Sequence, residues 1–323
     1  MTSVRDAETL RGYAFDVFVD LLALGLDPDR ATLFVQSDVP ETTELAWLLT
    51  SVTPMGWLEK CVSYKDKVQQ GLPAEHGLFA YPVLQAADIL LYDADVVPVG
   101  QDQKQHLEIT RDIAERFNHV YGGGSEVFRL PRPSILDAVA VVPGVDGRKM
   151  SKSYRNTIEI FEEPAAIRKV CKKIVTDSTP VEAPKDPETC PVFGLYRLFA
   201  TADELLEVGR RYREGGVGYG EMKTRLADAI IATFAPARER RAEWVAHPAR
   251  VAEVRAAAAE RARKTARIVL ERPGRLRHRL TAGGPIAGPF GLPSGPWFLL
   301  VGWTARTRST RNVTTPIAAG AMM

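Results

Sequence analysis

Helical periodicity and short apolar runs alternate in the first half of the chain. Apolar residues recur every three or four positions from Leu10 to Leu22, which predicts a helix that Ser3 and Asp6 can cap. Residues 31–36 (ATLFVQ) predict a buried strand. The same patterns predict helices at 41–49, 81–92 and 103–117 and a strand at 96–99. We therefore expect a doubly wound, Rossmann-like α/β domain with a parallel sheet between helices.

The second half changes to long helical stretches. Periodicity predicts helices at 164–173, 192–199, 219–233 and 249–270, and so an α-helical domain. From Pro273 onward Gly, Pro and Arg dominate, acidic residues are absent and the periodicity ends. The predicted organisation is an α/β domain over residues 1–155, a helical region over 156–272, and a tail over 273–323 that forms no packed element.

Composition fits a globular protein and limits its surroundings. The chain has 323 residues, of which 45% are hydrophobic and 25% charged. Its longest apolar run is shorter than the roughly 20 residues of a membrane helix, so we expect no membrane association. Cys61, Cys171 and Cys190 form no CxxC pair, which argues against a zinc ribbon and a disulfide framework. A reducing, cytoplasmic setting is expected.

The charge is unevenly distributed. The formal net charge is +2, yet residues 273–323 hold six arginines and no acid, so that 36 basic and 40 acidic residues precede them. A nucleic-acid contact must therefore come from a local basic patch. Arg238, Arg240 and Arg241 are candidates in the helical region, although arginines on a helix surface commonly only face water.

Residues 149–153 spell KMSKS, the most specific motif of the chain. Two lysines three positions apart, beside small hydroxyl residues and after Gly144 and Gly147, predict a mobile loop that places two positive charges on a polyphosphate. The alternative is a solvated basic turn.

Polar residues form one face of the predicted helix at 81–92. Tyr81, Gln85, Asp88 and Tyr92 follow the spacing of one helix face, and Asp88 interrupts the apolar run 86–91. A buried carboxylate needs a hydrogen-bond donor. The donor is either a neighbouring backbone N–H or arginine, or a ligand such as an indole N–H, which donates and cannot accept. The residues alone leave both open.

KMSKS is typical of class I aminoacyl-tRNA synthetases, and a longer stretch resembles one branch of that family. Residues 77–117 (GLFAYPVLQAADILLYDADVVPVGQDQKQHLEITRDIAERF) resemble the tryptophanyl branch almost residue for residue. The segments ATLFVQSDVPE and IVTDST are also similar to it, and the likeness covers approximately residues 4–270. AADILLY and VPVGxDQKQH separate this branch from the tyrosyl enzymes.

The resemblance implies a set of site residues. In the tryptophan pocket Asp88 would accept the indole N–H, and Gln103 would reach the ammonium group of the substrate. The catalytic residues would be Lys149 and Lys152. The implied pocket is lined by Tyr81, Gln85, Asp88, Ile89, Val97, Val99 and Gln103. The implied ATP contacts are Lys67, Gly100, Gln101, Asp102, Ala140, Lys149, Met150, Ser151, Lys152 and Ser153.

The resemblance also implies a reaction and partners. It implies a tryptophan–tRNA ligase that uses ATP with Mg²⁺ as substrate, binds L-tryptophan and tRNA(Trp), and forms a homodimer whose helical region recognises the anticodon. No zinc or iron–sulfur cluster is expected. Two alternatives are a tyrosyl-tRNA synthetase and, from a different class, a non-catalytic synthetase remnant or binding module.

Three departures from the family pattern bear on activity. Arg155 stands where members have glycine, and at positive φ it would cost about 1 kcal/mol. Gln85 stands where many members have methionine, which affects the tightness of the pocket. The family's opening strand, HxGH-like turn and helix, which hold ATP, have no match, so we expect an incomplete sheet and impaired adenylate formation by these residues.

Overall fold

The computed structural model describes residues 6–61, 64, 65, 69, 71, 75–135, 142–151 and 154–282. These residues divide into two compact units. The first unit takes its described residues from 6–10, 28–134 and 254–282, and the second from 11–27 and 135–253.

Helices dominate the described residues, and two short strands accompany them. In chain order the elements are α1 (Ala7–Ala23), α2 (Glu41–Thr50), α3 (Met55–Glu59), α4 (His76–Leu90), β1 (Val96–Pro98), α5 (Lys104–Tyr121), β2 (Arg132–Ser134), α6 (Pro164–Lys172), α7 (Pro191–Tyr196), α8 (Ala202–Glu214), α9 (Tyr219–Ala246) and α10 (Pro248–Ala282). Strands β1 and β2 are parallel, with Val97 opposite Pro133.

Helix α4 lies at the centre of the first unit. It packs against α2, α3 and α5. Its apolar residues Val83, Ala86 and Leu90 join a core that includes Phe128 and, from α10, Ala266. One face of α4 is therefore committed to the core, and this fixes the direction of its opposite, polar face.

Arginines of α10 hold acidic groups of the same unit. Arg263 and Arg267 both bind Glu41, whose carboxylate is 9% exposed. Arg255 binds Asp38 and Arg272 binds Asp93. Because Glu41 is largely shielded from water, its two partners offset a desolvation cost that an unpaired carboxylate would keep.

The second unit has a separate helical core. It is built mainly from α6, α7 and α9, and its fully buried side chains include Tyr196, Tyr212 and Met222. Helix α8 begins with a capping box in which Thr201 and Glu204 bond each other reciprocally. Sequence periodicity missed α8, although this capping pair was its sequence signal.

Most of the predicted elements are confirmed, but several ends differ: α4 begins five residues earlier than predicted, and α9 and α10 end 13 and 12 residues later. Helices α1, α2, α4, α5, α6, α7, α9 and α10 and strand β1 occur where periodicity predicts them. Asp6 caps α1 by accepting the Thr9 N–H at 2.7 Å. Ser3 lies outside the described residues. Helix α3 and strand β2 were not predicted.

The predicted strand at 31–36 is wrong. Residues 31–35 have no regular secondary structure, and Gln36–Asp38 form a 3-10 turn. The backbone at Val35 is extended and Leu33 is buried, as a strand would require. A strand also needs a hydrogen-bonded neighbour, and among the described residues none of this segment's backbone bonds forms a ladder.

The last two helices each continue through a proline and end later than predicted. Helix α9 continues through Pro236, and α10 continues through Pro273 to Ala282, so the tail predicted to start at residue 273 begins inside a helix. An internal proline removes one backbone hydrogen bond and strains one turn, which long flanking helices can absorb. Residues 283–323 lie outside the described residues.

The units also divide the chain differently from the predicted boundary at 155/156. Residues 142–151 belong with the helical unit, and the chain returns to the first unit from Val254 onward. Apolar residues of α10 explain the return, because Ala262, Ala266 and Val269 are buried in the first unit's core. Over the described residues, no helix is long and apolar enough to cross a membrane.

Candidate active site

The polar face of α4 carries the residues predicted for a pocket. Tyr81, Gln85 and Asp88 are all half-buried, whereas Ala86 and Ala87 between them are fully buried. The helix thus presents a phenol, an amide and a carboxylate on the side away from its core contacts.

Asp88 has a side-chain partner that sequence analysis did not identify. Nε2 of Gln36 lies 2.8 Å from Oδ1 and 2.7 Å from Oδ2 of Asp88, so one amide group donates to both carboxylate oxygens. From the sequence we considered a backbone N–H or an arginine as the protein donor to Asp88, and the structure shows a glutamine amide in that role. Gln36 occurs at the end of an apolar run, and no spacing rule connects it with Asp88.

The Asp88 carboxyl has an unusual proton affinity. Burial raises its pKa to about 6, and the hydrogen bond from Gln36 opposes that shift. Burial disfavours the charged form because a carboxylate loses hydration, and a donor restores part of it. Near neutral pH the group is therefore mostly ionised and able to accept a further donor.

A second hydrogen-bonded chain crosses from α4 to α5. The Tyr81 hydroxyl lies 2.6 Å from Nε2 of His106, and Nδ1 of His106 lies 3.0 Å from Oε1 of Gln103. An amide oxygen only accepts, so Nδ1 carries the proton, and Nε2 of a neutral ring accepts from Tyr81. His106 is 3% exposed. From this buried position it contacts two predicted pocket residues, Tyr81 and Gln103.

Two further predicted pocket residues lie in and just after β1. Val97 pairs with Pro133 of β2, and the Val99 N–H donates to the Ser134 carbonyl at 3.1 Å. Ile89 is 6% exposed and lies on α4. The predicted ribose-contacting residues follow at the turn into α5, where Gly100 precedes the 3-10 turn Gln101–Gln103 that contains Asp102.

In the second unit, a hairpin-like turn carries the first part of KMSKS. Lys149 bridges to Pro143, the Met150 N–H donates to the Val142 carbonyl at 2.8 Å, and Lys149 is exposed. Met150 packs against the second unit's core. The methionine anchors the segment while the neighbouring lysine stays in water, available to an anion.

Asn156 fastens this turn. Its Oδ1 accepts the Ser151 N–H at 2.7 Å, and its Nδ2 donates to Asp146 at 2.7 Å and to the Lys149 carbonyl at 3.1 Å. Asn156 is 1% exposed. A Cβ on Gly144 would lie 2.2 Å from Asn156 Nδ2, so only glycine leaves room for the amide. Sequence analysis missed Asn156, because an asparagine following a motif has no distinguishing spacing.

Arg155 occupies the conformation expected of a glycine. Its φ is 52°, in the left-handed region that side chains disfavour. Its neighbour Tyr154 is exposed and stacks against Arg148, whose guanidinium carbon lies 4.7 Å from the ring centroid. The Asn156 amide, followed by Arg148, holds the pKa of Asp146 below its usual value. The suspected strain at Arg155 is present.

Some predicted site residues lie outside the described residues. They are Lys67, Ala140, Lys152 and Ser153. The side chain of Asp102 is also undescribed. Cys61, Cys171 and Cys190 are free and buried. Across the described parts of the chain, no group of three His, Cys, Asp or Glu side chains could hold a metal ion.

The three candidate tRNA-binding arginines make bonds within the second unit. Arg241 binds Asp20 at 2.6 Å and Asp16 at 2.9 Å. Arg240 donates to the Ala23 carbonyl at 2.7 Å, and Arg238 donates to the carbonyls of Ile160 and Ile231. The sequence suggested that these arginines face either water or tRNA phosphates. In the structure all three instead bond to groups of their own unit.

Comparison of the sequence with known protein families identifies one enzyme class. The model of class I tRNA synthetases for tryptophan and tyrosine (W and Y) matches residues 2–235. With that match over most of its length, the chain belongs to this family.

Individual relatives narrow the similarity to the tryptophan members. A tryptophan–tRNA ligase of Rhodopirellula baltica is 51% identical over 275 residues, covering 85% of each chain. One of Fusobacterium nucleatum is 52% identical over 243 residues, 75% of this chain and 74% of that protein. The crystal structure of Campylobacter jejuni tryptophanyl-tRNA synthetase with ADP and tryptophan matches with a TM-score of 0.79 at 46% identity, covering 87% of this chain and 86% of that one.

Replacing Gly144 by alanine is expected to loosen the KMSKS turn. The new Cβ would displace Asn156 and release the Ser151 N–H, at a cost of about 1–3 kcal/mol in the free energy of unfolding. Hydrogen exchange followed by mass spectrometry should show faster exchange in the peptide that contains Ser151. Gly77→Ala is the matched control, since no atom lies within 4 Å of its added Cβ. Equal exchange in both variants would contradict the role of Asn156.

Arg155→Gly is expected to raise the free energy of unfolding by about 0.5–1 kcal/mol, because glycine adopts positive φ without steric cost. Arg116→Gly, at an exposed position inside α5, should lower it by about 1 kcal/mol. Urea titrations of the two variants measure both effects. If Arg155→Gly destabilises the protein, the strain at this position is not real.

Proposed function

We propose that the chain is a tryptophan–tRNA ligase, which activates L-tryptophan with ATP and transfers it to tRNA(Trp). The observation that carries the proposal is the Asp88 carboxylate on α4, held by Gln36, in a chain about half identical to tryptophan–tRNA ligases. Membership of the family, with its KMSKS motif, supports the reaction class.

Selection of tryptophan would rest on Asp88. The indole N–H is a donor without acceptor capacity, and an ionised carboxylate is an acceptor without donor capacity. Phenylalanine would leave the half-buried carboxylate without this donor, and an unpaired polar group penalises the wrong substrate. The proposed walls are Tyr81, Gln85, Ile89, Val97 and Val99, with Gln103 at the ammonium group. The contact of 3.0 Å between Oε1 of Gln103 and Nδ1 of His106 orients that amide.

The proposed first step is an attack by the tryptophan carboxylate on the α-phosphorus of ATP. The bond from that phosphorus to the bridging oxygen breaks, and pyrophosphate leaves. In the second step a hydroxyl of the terminal tRNA ribose attacks the adenylate carbonyl, and AMP leaves. Neither step needs a protein nucleophile, so the protein contributes alignment and charge stabilisation.

Lys149 and Lys152 are proposed to neutralise the charge that develops on the leaving pyrophosphate. The exposed position of Lys149 on a turn anchored by Met150 and Asn156 supports this role. Mg²⁺ held by the ATP phosphates would supply further positive charge there. The proposed contacts to the rest of ATP are Lys67, Gly100, Gln101, Asp102, Ala140, Met150, Ser151 and Ser153.

We also propose a homodimer, with the helical residues after 156 recognising the tRNA anticodon. The resemblance to this family supports both proposals. The bonded positions of Arg238, Arg240 and Arg241 make other basic residues of that region the better candidates for phosphate contacts.

Amino-acid-dependent exchange of pyrophosphate into ATP tests the function. The expected result is exchange driven by tryptophan in large excess over tyrosine and phenylalanine, and the ratio between amino acids is the readout at any absolute rate. Exchange driven by tyrosine would support the tyrosyl alternative. The absence of both exchange and tryptophan binding would support a remnant or binding module.

Asp88→Ala should weaken tryptophan binding by about 1–3 kcal/mol, because the indole N–H loses a charged acceptor. Calorimetric titration with tryptophan measures the loss directly, independent of turnover. Asp112→Ala, which removes an exposed carboxylate from α5, is the matched control. Undiminished tryptophan affinity in folded Asp88→Ala would refute the assignment of Asp88.

A further inference from the structure

The Asp88 carboxylate depends on a residue from outside its own helix. Gln36 follows Val35, whose backbone is extended, and is separated from Asp88 by 51 intervening residues in sequence. Its side chain is exposed, yet its Nε2 reaches both carboxylate oxygens within 2.8 Å. No other side-chain bond to Asp88 occurs among the residues that the structure describes.

The turn that carries Gln36 is itself held in place. The Gln36 carbonyl accepts the N–H of Val39, which is 1% exposed. Two residues after Gln36, Asp38 receives Nε of Arg255 at 2.5 Å and Nη2 at 2.7 Å. Such a paired guanidinium–carboxylate contact restricts orientation as well as distance. The starting point of the Gln36 side chain is therefore fixed by the core and by α10.

The chemistry of the contact leaves the carboxylate able to bind a ligand. The amide nitrogen of Gln36 shares its donor capacity between the two carboxylate oxygens, which together have about four lone-pair sites. After accepting from Gln36, the Asp88 oxygens keep sites for a further donor. A carboxylate held at both oxygens cannot rotate freely about its terminal torsion, which is otherwise a broad degree of freedom.

We propose that Gln36 is a positioning and specificity residue for tryptophan: its side-chain amide holds the Asp88 carboxylate in the orientation and the ionised form that accept the indole N–H. The inference rests on the proposed function, because it assumes that Asp88 is the indole acceptor. It adds a residue outside α4 to the determinants of amino-acid choice.

The surrounding charges make the amide important for ionisation. Tyr92 lies two residues after the end of α4, and its pKa is raised mainly by burial and further by the charges of Asp88 and of Glu41 from α2. In the described part of the chain no lysine or arginine bonds to Asp88. Burial raises the pKa of Asp88 and Gln36 lowers it, so removing the amide moves the ionisation of Asp88 to higher pH.

Two substitutions separate hydrogen bonding from shape. Gln36→Met keeps the length of the side chain and removes the donor. Gln36→Glu keeps the shape and replaces the donor by a like charge. Ser37→Ala, in the same turn and also exposed, is the matched control. Calorimetry on the full chain measures affinity for L-tryptophan and for its benzothiophene analogue, in which sulfur replaces the indole N–H.

In the wild type and in Ser37→Ala, tryptophan is expected to bind better than the analogue by on the order of tenfold or more. Gln36→Met should lose most of that preference, with analogue affinity unchanged. Gln36→Glu should bind tryptophan more weakly still at neutral pH. In both variants the loss of tryptophan affinity on acidification should begin at higher pH.

The outcomes distinguish this inference from the proposed function. A wild type that shows no preference for tryptophan over the analogue overturns the role of Asp88, and the role of Gln36 with it. A wild type with the preference, together with a Gln36→Met variant that keeps it, overturns only Gln36. A Gln36→Glu variant that behaves like the wild type would indicate a purely structural role and would also overturn the inference.

Discussion

A carboxylate set into an apolar helix is the constraint on which the first unit's chemistry depends. Asp88 lies between fully buried alanine and leucine residues of α4, and its desolvation must be offset by donors. One donor comes from Gln36, and a ligand N–H can supply the next. The core contacts of α4 thereby fix the orientation of its polar face. A ligand complementary to that face carries a hydrogen-bond donor for the Asp88 carboxylate.

In the second unit, apolar packing and hydrogen bonds hold the turn that carries Lys149. Lys149, which we propose to contact the phosphates, is exposed, so the backbone beneath it needs separate support. Met150 supplies that support through apolar packing, and the buried amide of Asn156 supplies it through hydrogen bonds. The room that Gly144 leaves for Asn156 and the positive φ of Arg155 show how tightly the turn is specified.

Local patterns in the sequence predicted the helices well and the long-range contacts poorly. Periodicity located α4 and α5 because each buries one face, and KMSKS is a contiguous motif. The segment at 31–36 has the composition of a strand but lacks a ladder partner among the described residues, and pairing is not a local property. Gln36 was missed for the same reason, since its contact with Asp88 joins residues 52 positions apart. Asn156 was missed although its partners lie only 5 to 10 positions earlier, because those contacts follow no regular spacing.

The most direct test of the account is a crystal structure of the protein with L-tryptophan. The account predicts the indole nitrogen within about 3.2 Å of an Asp88 carboxylate oxygen, with the Gln36 amide still bonded to that carboxylate. An indole ring bound elsewhere, or bound beside α4 with its N–H directed to another acceptor, would contradict it.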